Sequence, residues 1–433
     1  DFFVFGEVFS GNPVLLSHYT SRGEFPAVLD FYFQEQVRVY ASQNGASDVM
    51  RNLFANDDYF IDADSNAYAL PTFIGNHDRG RFGYFLDADN GVLPDGEKLA
   101  RMQLAHAMMY FARGVPVVYY GDEQGFVGDG DDKNARQDMF PSQVASYNDD
   151  DLIGTTATTA DDNFDNTHPL YLSFADYAAV YEAHQALRTG AQIHRYSQDS
   201  AGIYAFSRID RDEQVEYIIA FNNANSAQSA TFGTDSPNTG FTAVYPPAAA
   251  SVSSAANGQV TVNVPALGFV IYQADAPLPA YDAAPSIAFN TLSNNQEVAL
   301  GTQTLDGNEV QDRIEVGVDL TADRFAEVTF AVRQSGAADY TVIGVDDNAP
   351  YRMFMALDNL PEPFTAGDTL DFVAIVRDNS GNLSYAAVTG IAPVFEEPPV
   401  AGPGDYVIFH YYRPDGDYGD FSSSDFNDFW GLH

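Results

Sequence analysis

The chain has 433 residues, 45% of them apolar and 19% charged, and its 61 acidic against 20 basic side chains leave a net charge of −41. No apolar run approaches the roughly 20 residues that a membrane-spanning helix needs, and the apolar content excludes wholesale disorder. Such a charge repels a phosphate backbone, so neither nucleic acid nor a membrane is expected as a partner, whereas a neutral polysaccharide meets no such penalty.

Of the basic side chains only Lys98 and Lys133 are lysines. The absence of cysteine removes disulfides, thiolate catalysis and thiolate metal sites together. The chain opens on Asp1 and runs at once into Phe2-Phe3-Val4-Phe5, and it stops at Trp430-Gly431-Leu432-His433 inside a strand-like pattern. Both ends therefore read as cuts in a longer polypeptide, with any signal peptide upstream.

Over residues 1–190 short apolar strands alternate with helical stretches. FFVFGEVF (2–9), AVLDFYF (27–33), PTFIGNHD (71–78) and GVPVVYY (114–120) read as buried strands. KLARMQLAHAMMYFAR (98–113) has Leu, Met and Ala at helical spacing, and SFADYAAVYEAHQALRTG (173–190) reads as a helix ended by Gly190. Four strands with helices between them fit either an open parallel sheet or half of a (β/α)8 barrel, and periodicity alone does not choose.

After residue 190 the helical period gives way to short alternating strands: GIYAFSR (202–208), VEYIIAFN (215–222), FTAVY (241–245), VTVNVP (260–265) and GFVIYQA (268–274). They suit a β-sandwich over 191–275. APLPAYDAAP (276–285) reads as a linker into a second all-β unit, 286–392, with the strands RIEVGVDL, EVTFAVRQ, TVIGV and TLDFVAIVRD. A further linker, FEEPPVAGPGD (395–405), precedes a terminal piece, 405–433. The two β units are expected to fold independently of residues 1–190.

Glu7 lies between Gly6 and Val8 at the end of a strongly apolar strand. A buried carboxylate there is costly unless it is paired, neutralised or functional, and the plain alternative is a strand-end glutamate facing water. Asn76-His77-Asp78 repeats the arrangement at the end of the strand from Pro71 to Gly75. Glu7 and Asp78 are 71 residues apart, which matches about two β–α units at roughly 31 residues each and places both strand ends at one barrel mouth. Two carboxylates flanking a bond, one protonated to donate to a leaving oxygen, is the arrangement that hydrolyses glycosides.

FVFGEVFSGNP (3–13) and FIGNHD (73–78) resemble two signature segments of the α-amylase family of glycoside hydrolases, family 13, those on barrel strands five and seven. GVPVVYYGDEQGFVGDG (114–130) is similar to that family's eighth strand and the loop after it. The resemblance implies a multidomain fold: the C-terminal half of a (β/α)8 TIM barrel followed by all-β sandwich domains, the second immunoglobulin-like. It implies a secreted, extracellular or periplasmic, retaining hydrolase that cleaves α-1,4-glucosidic bonds of starch and related α-glucans.

By the same resemblance Glu7 is the general acid/base, Asp78 the carboxylate that orients sugar hydroxyls and stabilises the transition state, and His77 a donor to the same sugar. Asn76 shares the motif, either as a sugar contact or as the residue that shapes the turn. The family's nucleophilic aspartate and most of its calcium ligands belong to strands that would precede Asp1. No nucleophile or cofactor is therefore assigned here, calcium is left to the longer enzyme, and the segment alone is expected to be inactive. The acidic loops GDGDDKN (128–134) and DGDYGD (415–420) lack the glutamate that closes an EF-hand loop and read as solvated.

Arg136, in NARQDMF (134–140), is placed by the resemblance beside the leaving-group side of the cleft as a sugar contact; a surface pair with a carboxylate such as Asp138 is the alternative. The last 29 residues resemble the opening of the starch-binding module attached to bacterial pullulanases, with Tyr412 and Trp430 as stacking faces or as core residues. Asn-His-Asp, where pullulanases carry Lys-His-Asp, favours α-1,4 cleavage. An α-1,6-acting pullulanase, a bifunctional enzyme and a non-catalytic starch-binding protein are the alternatives.

Overall fold

Four apolar stretches lie side by side, the first two and the last two paired in parallel, and they position everything that follows. Gly6 N–H donates to Ala27 O and Leu29 N–H to Gly6 O, each at 3.0 Å, forming a parallel bridge between Gly6 and Val28. Asp30 N–H then donates to Pro71 O at 3.0 Å, and β1 (Pro71–Thr72) pairs in parallel with β2 (Val115–Pro116). The computed structural model describes residues 3–395 except Glu24, Ala322, Asp323, Pro361, Glu362 and Ala366.

These segments are shorter as strands than their sequences suggest. In 2–9 the ladder reaches only Gly6, and Phe3, Val4 and Phe5 are 53%, 41% and 49% exposed, because among the described residues this segment has a neighbour on one side alone. In 27–33 the strand stops at Asp30. Its side chain accepts from Phe33 N–H at 2.9 Å and caps α2 (Phe31–Val37), so the apolar Phe31-Tyr32-Phe33 is helix rather than strand.

Helices fill the intervals for local reasons. Asn12 accepts from Val14 and Leu15 N–H and Pro13 opens α1 (Pro13–Ser21), the N-cap and N1 chemistry that starts helices. Then come α3 (Asp48–Phe54), α4 (Phe82–Asn90), α5 (Asp95–Phe111) with Asp95 and Glu97 in its first turn, and the single-turn α6 (Ala145–Asn148). The helix read over 173–190 is two, α7 (Pro169–Ala183) and α8 (Gln185–Thr189), divided at His184, whose backbone is extended and whose ring Nδ1 lies 3.1 Å from Tyr217 Oη.

From Ala191 the chain is β. A six-stranded sheet takes the order β3 (Ala191–Tyr196), β4 (Ile203–Ile209), β5 (Glu216–Asn222), β10 (Gly268–Ala274), β7 (Gly240–Tyr245), β8 (Val252–Ser253), and β6 (Gln228–Gly233) pairs with β9 (Gln259–Val264) over one face. Alternation along β5 splits its side chains between two cores. Ile218 and Ala220 pack with β6 and β9, whereas Ile219 and Phe221 join Met108 and Phe111 of α5 and Tyr177 of α7. Phe269 of β10 lies 5.6 Å from Phe111 and 5.5 Å from Tyr177, ring to ring. The first β unit thus shares a continuous core with the helices, which corrects the expectation that it folds alone: one face of its sheet is apolar only because the helices cover it.

The remaining strands form two further sheets around their own core. One has the order β12 (Glu297–Leu300), β20 (Leu383–Phe395), β19 (Leu370–Asp378), β16 (Ala326–Gln334), β17 (Thr341–Asp346); the other β11 (Ile287–Phe289), β15 (Ile314–Leu320), β18 (Tyr351–Met355); and β13 (Thr302–Leu305) pairs with β14 (Asn308–Gln311) as a hairpin. This part is docked on the first 190 residues. Arg352 Nε donates to Asp58 at 2.6 Å, Arg313 donates to Tyr59 O and Ser17 Oγ at 2.9 and 2.8 Å, and Tyr59 stacks on Phe354 at 4.1 Å.

Candidate active site

Glu7 follows Gly6 on the first segment, Asn76-His77-Asp78 follows the buried Phe73 and Ile74 on the third, and Tyr119-Tyr120-Gly121-Asp122 follows β2 on the fourth, whereas Asp30, which ends the second, lies beside Pro71 and pairs with Arg113 at the starts of β1 and β2. Side chains for chemistry collect at such ends of parallel strands.

Asn76 builds the turn that presents the next two residues. Its Oδ1 accepts from Asp78 N–H at 2.9 Å and from Arg79 N–H at 2.7 Å, so of its two sequence readings the structure records the turn-shaping one. Asn76 also bridges Gly80, and at Gly80 (φ +80°) a Cβ would stand 2.7 Å from Gly130 O, so the acidic loop lies directly on the turn. Asp132 N–H donates to Asp78 O at 3.4 Å. Loop 128–134 is thus docked against His77 and Asp78.

The Asp78 carboxylate is one-third exposed and engaged at both oxygens: His77 Nε2 lies 3.2 Å from Oδ2, and Arg136 Nη2 donates to Oδ1 at 3.1 Å. Arg136 Nε reaches His77 O at 3.3 Å, and Nη2 also meets Asp132 at 2.5 Å. The surface pair expected as the alternative therefore forms with Asp132, while Asp138 accepts from Ser142 Oγ. Beside these residues opens a cavity of about 370 Å³ whose wall includes Phe9, Arg38, Asp78, Arg79, Tyr84 and Asp131.

Beneath the turn lies a polar cluster that the sequence reading missed. Arg81, fully buried, donates to Tyr120 O at 2.8 Å, Asp122 at 3.0 Å and Gln137 Oε1 at 2.6 Å, and its guanidinium lies 4.5 Å from the Tyr119 ring centre. His106 Nε2 sits 3.5 Å from the other Asp122 oxygen. On the opposite side Arg79 meets Glu35 and Gln34 at 3.3 Å. Arg79 and Arg81 flank the turn in a chain with 20 basic residues, and that local concentration of cations was the available signal. Burial raises the Glu123 carboxyl above its ordinary range even though it accepts from Gly121 N–H at 2.8 Å.

Glu7 is exposed and has no ion-pair partner among the described residues, so of its two sequence readings the structure records the strand-end glutamate facing water, on a segment too sparsely covered to bury it. Asn76, His77, Asp78 and Arg136 are brought together; Glu7 lies on the outer segment with no contact to them among the described residues, although Phe9, two residues on, shares the cavity wall with Asp78. Tyr412 and Trp430, together with the terminal piece 405–433, lie outside the described residues. Among those residues no group of three or more histidines or carboxylates is arranged to hold a metal ion.

Parallel segments ending in Gly-Glu and Asn-His-Asp, followed by a β-sheet sharing their core, define a class of protein, and residues 1–204 match the family described as alpha amylase, catalytic domain. Residues 1–204 thus resemble the catalytic domain of the α-amylase family of glycoside hydrolases. The chain is 40% identical over 381 residues to an alpha-amylase of Streptomyces lividans, the match covering 88% of this chain and 39% of that protein. The chain thus spans about two-fifths of the length of that relative. Among solved structures, an Anoxybacillus alpha-amylase superposes with a TM-score of 0.50 at 22% identity, over 65% of this chain and 54% of that one. AmyP in complex with maltose superposes with a TM-score of 0.50 at 16% identity, over 64% and 56%. Both have the same fold.

Proposed function

We propose that this chain carries the acid/base side of a retaining α-amylase-type active site that cleaves α-1,4-glucosidic bonds of starch and related α-glucans. The observation that supports the reading is that Phe9, two residues after Glu7, shares a cavity wall with Asp78 and Arg79, the Arg79 guanidinium lying 5.5 Å from the Phe9 ring centre. In this reading Glu7 protonates the leaving oxygen and later deprotonates water, Asp78 stabilises the oxocarbenium-like transition state, and His77 donates to the same sugar. The edge beside Gly6 that no described residue covers and the exposed Phe3, Val4 and Phe5 support an array that is the C-terminal half of a (β/α)8 barrel, completed by strands that also carry the nucleophile. A neutral glucan suits a surface of net charge −41. Secretion, a calcium site in the longer enzyme and a starch-binding role for the terminal piece belong to the same proposal.

The test uses a polypeptide joining this chain to the missing strands. Glu7→Gln keeps the shape and removes the proton donor, so hydrolysis of soluble starch should fall by about 10²–10⁴-fold. Near-wild-type hydrolysis by that variant overturns the assignment. Starch hydrolysis by the 433-residue chain alone would overturn the half-barrel part of it.

A further inference from the structure

We propose that Asp306, at the tip of the β13–β14 hairpin, is a positioning residue for Glu7: through Ser10, the second β unit holds the loop that follows the proton donor. This rests on the reading of Glu7 given above. Glu7 is exposed, and the ladder that ties its segment to the array is the Gly6–Val28 bridge, so its placement depends on the loop 8–12 that leads into α1. Ser10, three residues after Glu7 and 7% exposed, fixes that loop. Its Oγ donates to Asp306 at 2.5 Å and accepts from Asn12 N–H at 3.0 Å, while its N–H donates to Val8 O at 2.8 Å. Asn12 in turn caps α1, so one hydroxyl joins the hairpin tip to the helix start. A second hold comes from beside Asp78: a Cβ at Gly11 would collide with the Glu35 carboxylate, Glu35 pairs with Arg79, and Arg79 lies over the Phe9 ring.

The hairpin is rigid enough to act as a strut. Asp306 (φ +47°) and Gly307 (φ +79°) are the two central residues of its turn, both left-handed, the conformation that closes a two-residue hairpin without splaying its strands. Its base is anchored along α1, where Gln311 accepts from Arg22 at 3.1 Å and Arg313 donates to Ser17 and Ser21 at 2.8 and 3.2 Å. The second β unit thus grips the helix along its length and the preceding loop at Ser10. Asp306 is itself exposed, so trimming it should leave the fold intact; what its contact fixes is the course of the chain from Glu7 into α1. A general acid must aim its proton at the leaving oxygen, and a displacement on the order of 1 Å is costly in rate.

Kinetics in the joined polypeptide on two substrates test the proposal, with thermal midpoints to show that each variant is folded. The leaving oxygen of maltoheptaose must be protonated as it departs, whereas α-maltosyl fluoride loses fluoride with little acid assistance, and kcat/KM reports the bond-breaking step in both. Asp306→Ala and Ser10→Ala should each lower kcat/KM on maltoheptaose roughly three- to tenfold with KM within about twofold, and leave kcat/KM on α-maltosyl fluoride within about twofold of wild type. The two changes together should do no more than either alone, since both break the same hydrogen bond. Asp306→Asn, which keeps an oxygen acceptor for Ser10, should recover most of the loss, and Glu309→Ala, elsewhere on the hairpin, should behave as wild type. Equal losses on both substrates would make the contact a general brace, a raised KM with unchanged kcat would make the hairpin a sugar contact, and wild-type kinetics in Asp306→Ala would mean that Glu7 is placed without it; each overturns the proposal. Glu7→Gln separates the two levels: if it keeps its activity on maltoheptaose, the catalytic reading and this inference fall together, whereas if it loses that activity and Asp306→Ala is unaffected, this inference alone fails.

Discussion

Asn76 and Gly80 show how much of the candidate site is set by the backbone of one turn. Replacing Asn76 by alanine removes the acceptor for two N–H groups, Asp78 and Arg79, and is expected to cost about 1–2 kcal/mol in urea unfolding. Gly80 has φ +80° and no room for a Cβ beside Gly130 O, while Gly336 has φ +92° and open space around it. Gly336→Ala should therefore cost about 1 kcal/mol for conformation alone, and Gly80→Ala clearly more. Equal losses would mean that loop 128–134 yields freely and does not brace the turn.

At the scale of elements, the segment around Asp30 is held by a buried ion-pair cluster. Arg113, just past α5 and 1% exposed, donates to Asp30 at 2.5 Å and to both oxygens of Asp57 at 2.7 and 2.5 Å. Asp30 also caps α2, so the cluster ties a strand end, a helix start and the end of α5 together. Arg113→Met leaves two carboxylates without their cation and should destabilise by about 3–5 kcal/mol. Adding Asp30→Asn and Asp57→Asn should recover part of that loss, because the penalty is uncompensated charge rather than lost attraction. Urea unfolding of the single and triple variants measures both.

For the whole molecule, the junction between the first 190 residues and the second β unit makes stability depend on pH. Burial pushes Asp57 up to about 6 and Asp58 up to about 7, against the opposing pull of Arg113 and Arg352, and raises Asp346, which also faces Asp58 and Asp347. In the unfolded chain these carboxyls titrate near 3.9. Between about pH 4 and 7 the folded state therefore binds more protons than the unfolded one, and their contribution to stability falls as pH rises through that window. The thermal midpoint should drop from pH 5 to pH 8 in 1 M NaCl, where the self-repulsion of a −41 chain is screened, and Asp346→Asn should shrink the drop. A midpoint that climbs over that range would contradict the junction's role. At fixed pH the midpoint should also rise from 0.05 M to 1 M NaCl, with sodium sulfate separating screening from salting-out.

Residues 1–433 settle by themselves whatever depends on near neighbours. The Gly-Glu and Asn-His-Asp segments, the family whose catalytic domain they resemble, the α5 helix and the strands at 203–209, 216–222 and 268–274 are legible because side-chain period and turn chemistry act within a few residues. The tertiary structure decided what depends on distant partners. A run such as Phe31-Tyr32-Phe33 is apolar in either helix or strand, and the choice fell to Asp30, which accepts the helix's N–H while pairing with Arg113, 83 residues away. Asp78, one partner of Arg136, lies 58 residues before it and Asp58, one partner of Arg352, lies 294 before, while Glu7 is exposed because among the described residues its segment has a neighbour on one side alone. Local pattern specifies which residues form strands and helices, whereas ion pairing and burial are set by whichever elements the fold brings opposite them.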